Sequence, residues 1–396
     1  MMEAFYRTHK YLVEHVNAPL RRYLNDEIDW SARLIGIKGT RGVGKTTFLL
    51  QYAKENYGPS NRHCLYVNLN NFYFQGHTLV EFAGKFVEDG GQVLLIDQVF
   101  KMPNWSQQLR ACYDSYPALQ IVFTGSSVMR LKEENTEIGG IVKSYNLRGL
   151  SFREYLTLQT GITFPVFSLQ DIISNHELIV RQILQKVTPS VHFKNYLHHG
   201  FYPFFMEKRN YSENLLATMS MMIEVDILVI KQIELKYLTR IKKLFYELAI
   251  NAGKAPNISK LAVDVDTSRA TVMNYIKNLA DARLINIIHP VGEVHPKKPT
   301  KIMLHNSNLM YAIYPINVEL HDVMETFAVN CLWKDHKVNQ AAHDKHFIID
   351  EEIKSRVIDA KRQTKTRTDA NTIYFRYNTE VGAGNQIPIW LLGFMY

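Results

Sequence analysis

Residues 34–47 read LIGIKGTRGVGKTT. A short apolar run leads into Gly39-Thr40-Arg41-Gly42-Val43-Gly44-Lys45-Thr46, a match to GxxxxGK[ST]. Thr47 follows, inside TTFLLQYAKENY, which has the pattern of a helix. A strand that ends in such a loop and restarts as a helix makes an anion site. Gly39, Gly42 and Gly44 allow backbone geometry that turns successive N–H groups inward. The helix adds the positive end of its dipole. Lys45 meets β- and γ-phosphate charge, and the Thr46 hydroxyl can ligate Mg2+. Residues 39–47 are the expected binding segment for ATP with Mg2+.

Working outward, three more runs read as strands: HCLYVNLN (63–70), VLLID (93–97) and LQIVFTG (119–125). Each is compact, apolar or β-branched, and bounded by Gly, Asn or Asp. TLVEFAGKFVED and WSQQLRACYDSY between them read as helices. Strand–helix alternation predicts an α/β fold with a parallel sheet covered on both faces. Asp97 ends one of these strands and is the second candidate metal ligand, through water. TGSS (124–127) ends another. Thr124 and Ser126 are candidates for touching the γ-phosphate or the attacking water, with a turn cap as the plainer alternative.

The chain has 396 residues, which predicts two to four domains. Its net charge of +8 favours an acidic partner such as nucleic acid. Cys64, Cys112 and Cys331 lie far apart, which excludes a CxxC metal knuckle. No signal-type or membrane-length apolar run occurs, so a cytoplasmic protein without membrane contact is expected. Residues 157–235 turn helical, residues 236–310 carry a helix–turn–helix pattern, and residues 311–396 return to mixed α/β. The closing IPIWLLGFMY reads as a buried last strand.

GIKGTRGVGKTT, LLIDQVFKMPNW, IVFTGSS and GLSFREYL (149–156), in this order and spacing, resemble the AAA-type P-loop ATPases of bacteria and archaea. In these a C-terminal domain of long-unknown function follows the ATPase core. The resemblance is most specific over residues 1–156. It implies an ATPase core there, a helical lid at 157–235, a winged helix at 236–310, and a domain similar to the PD-(D/E)xK nuclease fold at 311–396. Two departures bear on activity. The family's usual Asp-Glu is Asp97-Gln98 here. An amide can orient water but is not a base at neutral pH, so slow hydrolysis is expected. IGGIV (138–142) stands where relatives often carry Arg residues.

ISKLAVDVDTSRATVMNYIKNLADARLINII (258–288) reads as helix, turn, helix, strand. Val272, Ile276 and Leu279 form one apolar stripe, leaving Arg269, Thr271, Asn274, Tyr275 and Lys277 for the outer face. The following segment reads as a β-wing with a basic tip at Lys297, Lys298 and Lys301. The DNA reading puts that helix in the major groove and the wing on phosphates. The alternative is a lid or protein contact. Further on, Asp350 and Asp359-Ala-Lys361 resemble a D…(D/E)xK arrangement, with Glu325 as a third acid and Lys354, Arg356, Arg362, Lys365 and Arg367 flanking. A charged hairpin is the plainer alternative. Three functions stay open: a slow ATPase coupled to DNA engagement, an ATP-gated DNA nuclease, and a nucleotide-dependent switch acting on a protein partner or a homo-oligomer.

Overall fold

The computed structural model describes residues 2–207, 209–292, 299–341, 346–361 and 369–396. The chain forms two compact units, Met1–Gly149 and Leu150–Tyr396.

The first unit is built on five parallel strands: β1 (Leu34–Gly39), β2 (Cys64–Asn68), β3 (Val93–Asp97), β4 (Gln120–Ser126) and β5 (Lys143–Asn146), in the order β2-β3-β4-β1-β5. β3 is buried throughout, and β1 and β4 nearly so, as expected of parallel strands covered on both faces. Phe82 and Phe86 from the helix Leu79–Glu88 and Phe123 from β4 are fully buried. Each contributes roughly 1.5–3 kcal/mol by leaving water. The Thr78 hydroxyl and Glu81 carboxylate close a capping box at the start of that helix. The helices Lys45–Asn56 and Trp105–Ser115 complete the expected alternation. The edge strand β2 is protected by the helix Met2–His15, whose His9 Nδ1 accepts the Tyr66 N–H at 2.9 Å.

β4 lies between β1 and β3, and the register pairs Gly39 with Ser126 and Asn68 with Asp97. The C-terminal ends of four strands therefore share one edge, where open α/β sheets place their ligands.

The second unit begins with the helix Phe152–Thr160, closed by a Ser151–Glu154 capping box. The helix Leu169–Leu184 starts the same way at Ser168 and Asp171. Helices Ile258–Asp264 and Arg269–Asp281 are followed by an antiparallel pair, β6 (Ile285–Ile288) and β7 (Lys301–Leu304). Beyond the helix Leu320–Leu332 comes a mixed sheet of β8 (Val338–Gln340), β9 (Phe347–Ile349), β10 (Ile353–Asp359), β11 (Thr372–Tyr377) and β12 (Gln386–Pro388), ordered β12-β11-β10-β9-β8. The two sheets touch. Pro290 bridges Gln340, the Gln340 N–H donates to the His289 carbonyl at 3.0 Å, and the Val291 N–H donates to the Gln340 carbonyl at 3.2 Å.

The C-terminal expectation needs correction. IPIWLLGFMY is buried, but only its first two residues belong to β12. Residues Ile389–Phe394 form a 3-10 turn. Pro388 has no N–H to continue a ladder.

Candidate functional site

The loop 39–46 has the geometry its glycines suggest. Gly42 and Gly44 sit at φ 83° and 94°, a region L side chains rarely adopt. A Cβ on Gly39 would lie 2.4 Å from the Leu147 carbonyl oxygen. Gly44 caps the helix Lys45–Asn56 with no side-chain bond to its first N–H groups. The first N–H groups of a helix point out of its N-terminus at the positive end of its dipole, an arrangement that suits an anion. Val43 is fully buried and Thr40 nearly so, Arg41 and Lys45 are half-buried, and Thr46 and Thr47 are exposed. The Lys45 ammonium donates to the carbonyls of Gly39 and Thr40 at 2.8 Å each.

Asp97 draws three hydroxyls. Thr46 donates to Oδ2 at 2.7 Å and Tyr66 to the same oxygen at 2.9 Å, while Thr124 donates to Oδ1. The Asn68 amide lies 3.5 Å from Oδ2. Burial first, then the Asp97 charge, push the Tyr66 phenol well above its ordinary pKa, so it stays a donor. Asp97 is buried, and these hydrogen bonds satisfy a carboxylate that water does not reach. The Thr46 and Asp97 oxygens are the hard donors that suit Mg2+, and they sit side by side.

Gln98 has left-handed backbone (φ 58°, ψ 51°) and opens a short 3-10 turn, Val99–Lys101. Its N–H donates to the Thr124 hydroxyl at 3.0 Å. Thr124 is fully buried and joins the Asp97 carboxylate to the Gln98 backbone. Ser126 is also buried, and its hydroxyl accepts from the Val128 N–H at 3.4 Å, a turn-capping contact.

Other candidate residues are dispersed. On the helix Arg269–Asp281, Val272, Ile276 and Leu279 are buried, and Arg269, Asn274 and Lys277 are exposed. The Thr271 hydroxyl pairs with Ser268 in the helix cap at 2.9 Å. Tyr275 corrects the expected outer face: it is buried. Lys301 corrects the expected basic tip: its ammonium pairs with buried Glu325, and His321 lies 3.4 Å from the same carboxylate. Burial raises the Glu325 pKa, but His321 and Lys301 more than offset this and hold it below the ordinary value. Lys297 and Lys298 lie outside the described residues, as do Arg362, Lys365 and Arg367.

The acidic cluster expected near the C-terminus does not assemble. Asp350 and Glu351 have left-handed backbone and form the turn between β9 and β10. Asp359 ends β10, roughly 20 Å away at the rise of a strand. Asp350 accepts from His336 and the Lys337 N–H, Asp359 from Asn378 and the Lys361 N–H, and Lys361 itself is exposed. Among the described residues no group of three or more His, Cys, Asp or Glu side chains could hold a metal ion. Nor is any helix among them long and apolar enough to cross a membrane.

The family described as an AAA domain matches residues 31–156, and one described as a domain of unknown function matches residues 190–318. An uncharacterized protein of Methanocaldococcus jannaschii is 25% identical over 279 residues, 67% of this chain. The match spans only 58% of that relative's length. Among solved structures, the Orc1 protein of Aeropyrum pernix in complex with DNA aligns over 79% of this chain and 92% of its own, at 12% identity and a TM-score of 0.30. PCH-2 of C. elegans aligns over 40% and 44%, at 15% identity and a TM-score of 0.25. The parallel sheet, the phosphate loop and the match to residues 31–156 agree: this part of the chain is an AAA-type P-loop domain.

Proposed function

We propose that the chain binds ATP with Mg2+, hydrolyses it slowly, and uses nucleotide state to govern engagement of DNA. The observation that carries the nucleotide reading is the Thr46 hydroxyl on Asp97 at 2.7 Å, beside a loop whose Lys45 rests on its own carbonyls. Lys45 and the loop N–H groups would hold the phosphates, and Thr46 and Asp97 the metal. When bound, Mg2+ supplies charge neutralisation at the phosphates. Gln98 can orient a water molecule but cannot take its proton. The DNA reading draws on the net charge of +8 and on Arg269, Asn274 and Lys277, exposed opposite a buried stripe.

A second reading, a nucleotide-dependent switch that acts on a protein partner, draws on the hairpin. Lys301 is engaged with Glu325, and the chain beyond β6 is bonded to β8, which leaves the described part of this hairpin little freedom to close on phosphates. Val263, on the neighbouring helix, is 79% exposed and apolar. ATP turnover, measured with and without single-stranded, duplex and forked DNA, tests both readings. A rate or ATP affinity that responds to DNA supports the first. ATP binding with no DNA binding at low salt supports the second. No ATP binding removes both.

A further inference from the structure

Arg22 lies ahead of β1, outside the segment matched as an AAA domain. Its side chain is buried, which an arginine rarely is without several acceptors. One terminal nitrogen donates to the Val43 carbonyl at 2.9 Å. The other donates to the carbonyls of Arg148 at 2.7 Å and Gly149 at 3.1 Å. Val43 closes the variable part of the phosphate loop. The segment after β5 already packs on the start of that loop, because the Leu147 N–H donates to Lys38 O at 2.8 Å and the Leu147 carbonyl crowds Gly39. The neighbouring Tyr23 hydroxyl donates to Asn146 O at 3.0 Å. Both ends of the loop are thus tied to residues 146–149, one directly and the other through the guanidinium.

The orientation of one peptide follows. In a trans peptide the carbonyl and the next N–H point in opposite directions. With the Val43 carbonyl drawn onto Arg22, the Gly44 N–H faces away from Arg22, at the cap of the helix Lys45–Asn56. We infer that Arg22 is the positioning residue of the phosphate loop, setting the Gly44 amide to receive a phosphate oxygen before any ligand arrives. This rests on the nucleotide reading above. A lysine could not replace it, because an ammonium lacks the planar fork that reaches three carbonyls on two segments.

The test uses the full chain, a fluorescent ATP analogue with Mg2+, and displacement by ATP, inorganic tripolyphosphate or adenosine. Arg22→Lys should weaken ATP and tripolyphosphate about tenfold each, the scale of one charge-assisted hydrogen bond, and leave adenosine unchanged. Equal weakening of all three would mean general damage and overturn the inference. So would unaltered binding of all three. Should the variant not fold, the unmutated chain still decides. Its Arg22 guanidinium protons should resist solvent exchange without ligand, and its Gly44 amide proton should shift downfield with tripolyphosphate. Rapid Arg22 exchange or an unmoved Gly44 amide overturns the inference. If the unmutated chain binds neither ATP nor tripolyphosphate, the nucleotide reading fails and takes this inference with it.

Discussion

Thr46 and Asp97, 51 residues apart in sequence, meet through a hydroxyl donated at 2.7 Å. The contact joins the phosphate-loop helix to the end of β3, and it puts two oxygen donors at one point of the sheet edge. Asp97→Asn keeps the size of the side chain but faces an NH2 toward hydroxyls that donate. Mg2+ should then lose its hold. We expect the Mg2+-dependent part of ATP affinity to fall ~10–100-fold, as when metal-supporting groups are removed, while metal-free binding by the loop persists. Titrating the analogue with and without EDTA separates the two.

Gln98 offers the opposite experiment. Its N–H is fixed by Thr124, so its backbone is already placed, and Glu bears the same left-handed backbone cost as Gln. Gln98→Glu therefore changes the chemistry and little else. Turnover should rise roughly a hundredfold or more, the usual scale for a positioned general base. Steady-state phosphate release checks it. A flat rate with intact ATP binding would mean that the base is not what limits this site.

The core of the first unit was legible because buried parallel strands read as short apolar runs, and β1 to β4 each do so. β5 was not, since KSYN is polar and becomes a strand only by pairing with β1. Residues 39–47 and Asp97 carried their own motif. Tyr66 did not: it reads as one more apolar position, and its hydroxyl reaches Asp97 only because β2 pairs with β3. Arg22 has no motif either, since its acceptors lie 21 and more residues away. Among the carboxylates the spacing misled. Asp359 comes nine positions after Asp350, but Asp350 sits in the turn ahead of β10 and Asp359 at the far end of that strand.

Helix Met2–His15 adds a pH dependence to the first unit. Burial lowers the His9 pKa from its ordinary 6.5 to about 4, and its Nδ1 must stay unprotonated to accept the Tyr66 N–H. The folded pKa is depressed, so the contribution is fully present above pH 6.5. It is lost as pH falls toward 4, where the unfolded chain binds the proton first. The full difference is on the order of 3 kcal/mol. His9→Gln keeps an acceptor without a titrating ring. The unfolding midpoint of the unmutated chain should drop more than that of the variant between pH 7 and 5. Parallel curves would show that His9 is not the titrating group.

Lys301 and Glu325 form a buried pair between β7 and the helix Leu320–Leu332. Removing Lys301 takes away the permanent positive charge beside the buried Glu325 carboxylate and leaves His321 against its other oxygen. Lys301→Ala should cost about 3–5 kcal/mol in denaturant unfolding, whereas Lys301→Met with Glu325→Leu should recover most of it. If Lys301 instead served DNA, the single variant would keep its stability and lose affinity.

The exposed face of the helix Arg269–Asp281 gives the sharpest division between the two proposed readings. Arg269, Asn274 and Lys277 project from it, while Lys301 is held elsewhere. Each phosphate contact that is removed should lower the slope of log affinity against log salt by about 0.9. A basic residue that touches a phosphate therefore changes the slope, and one that touches a base edge changes sequence preference at a cost of about 1–3 kcal/mol. Replacing Arg269 and Lys277 with Ala should flatten the salt dependence by up to about two phosphates, and Asn274→Ala should leave the slope unchanged. Fluorescence anisotropy with labelled duplex across a salt series reads both quantities. If the double variant matches the unmutated chain at every salt concentration, this face does not carry DNA, and the exposed Val263 nearby becomes the surface to probe for a protein partner.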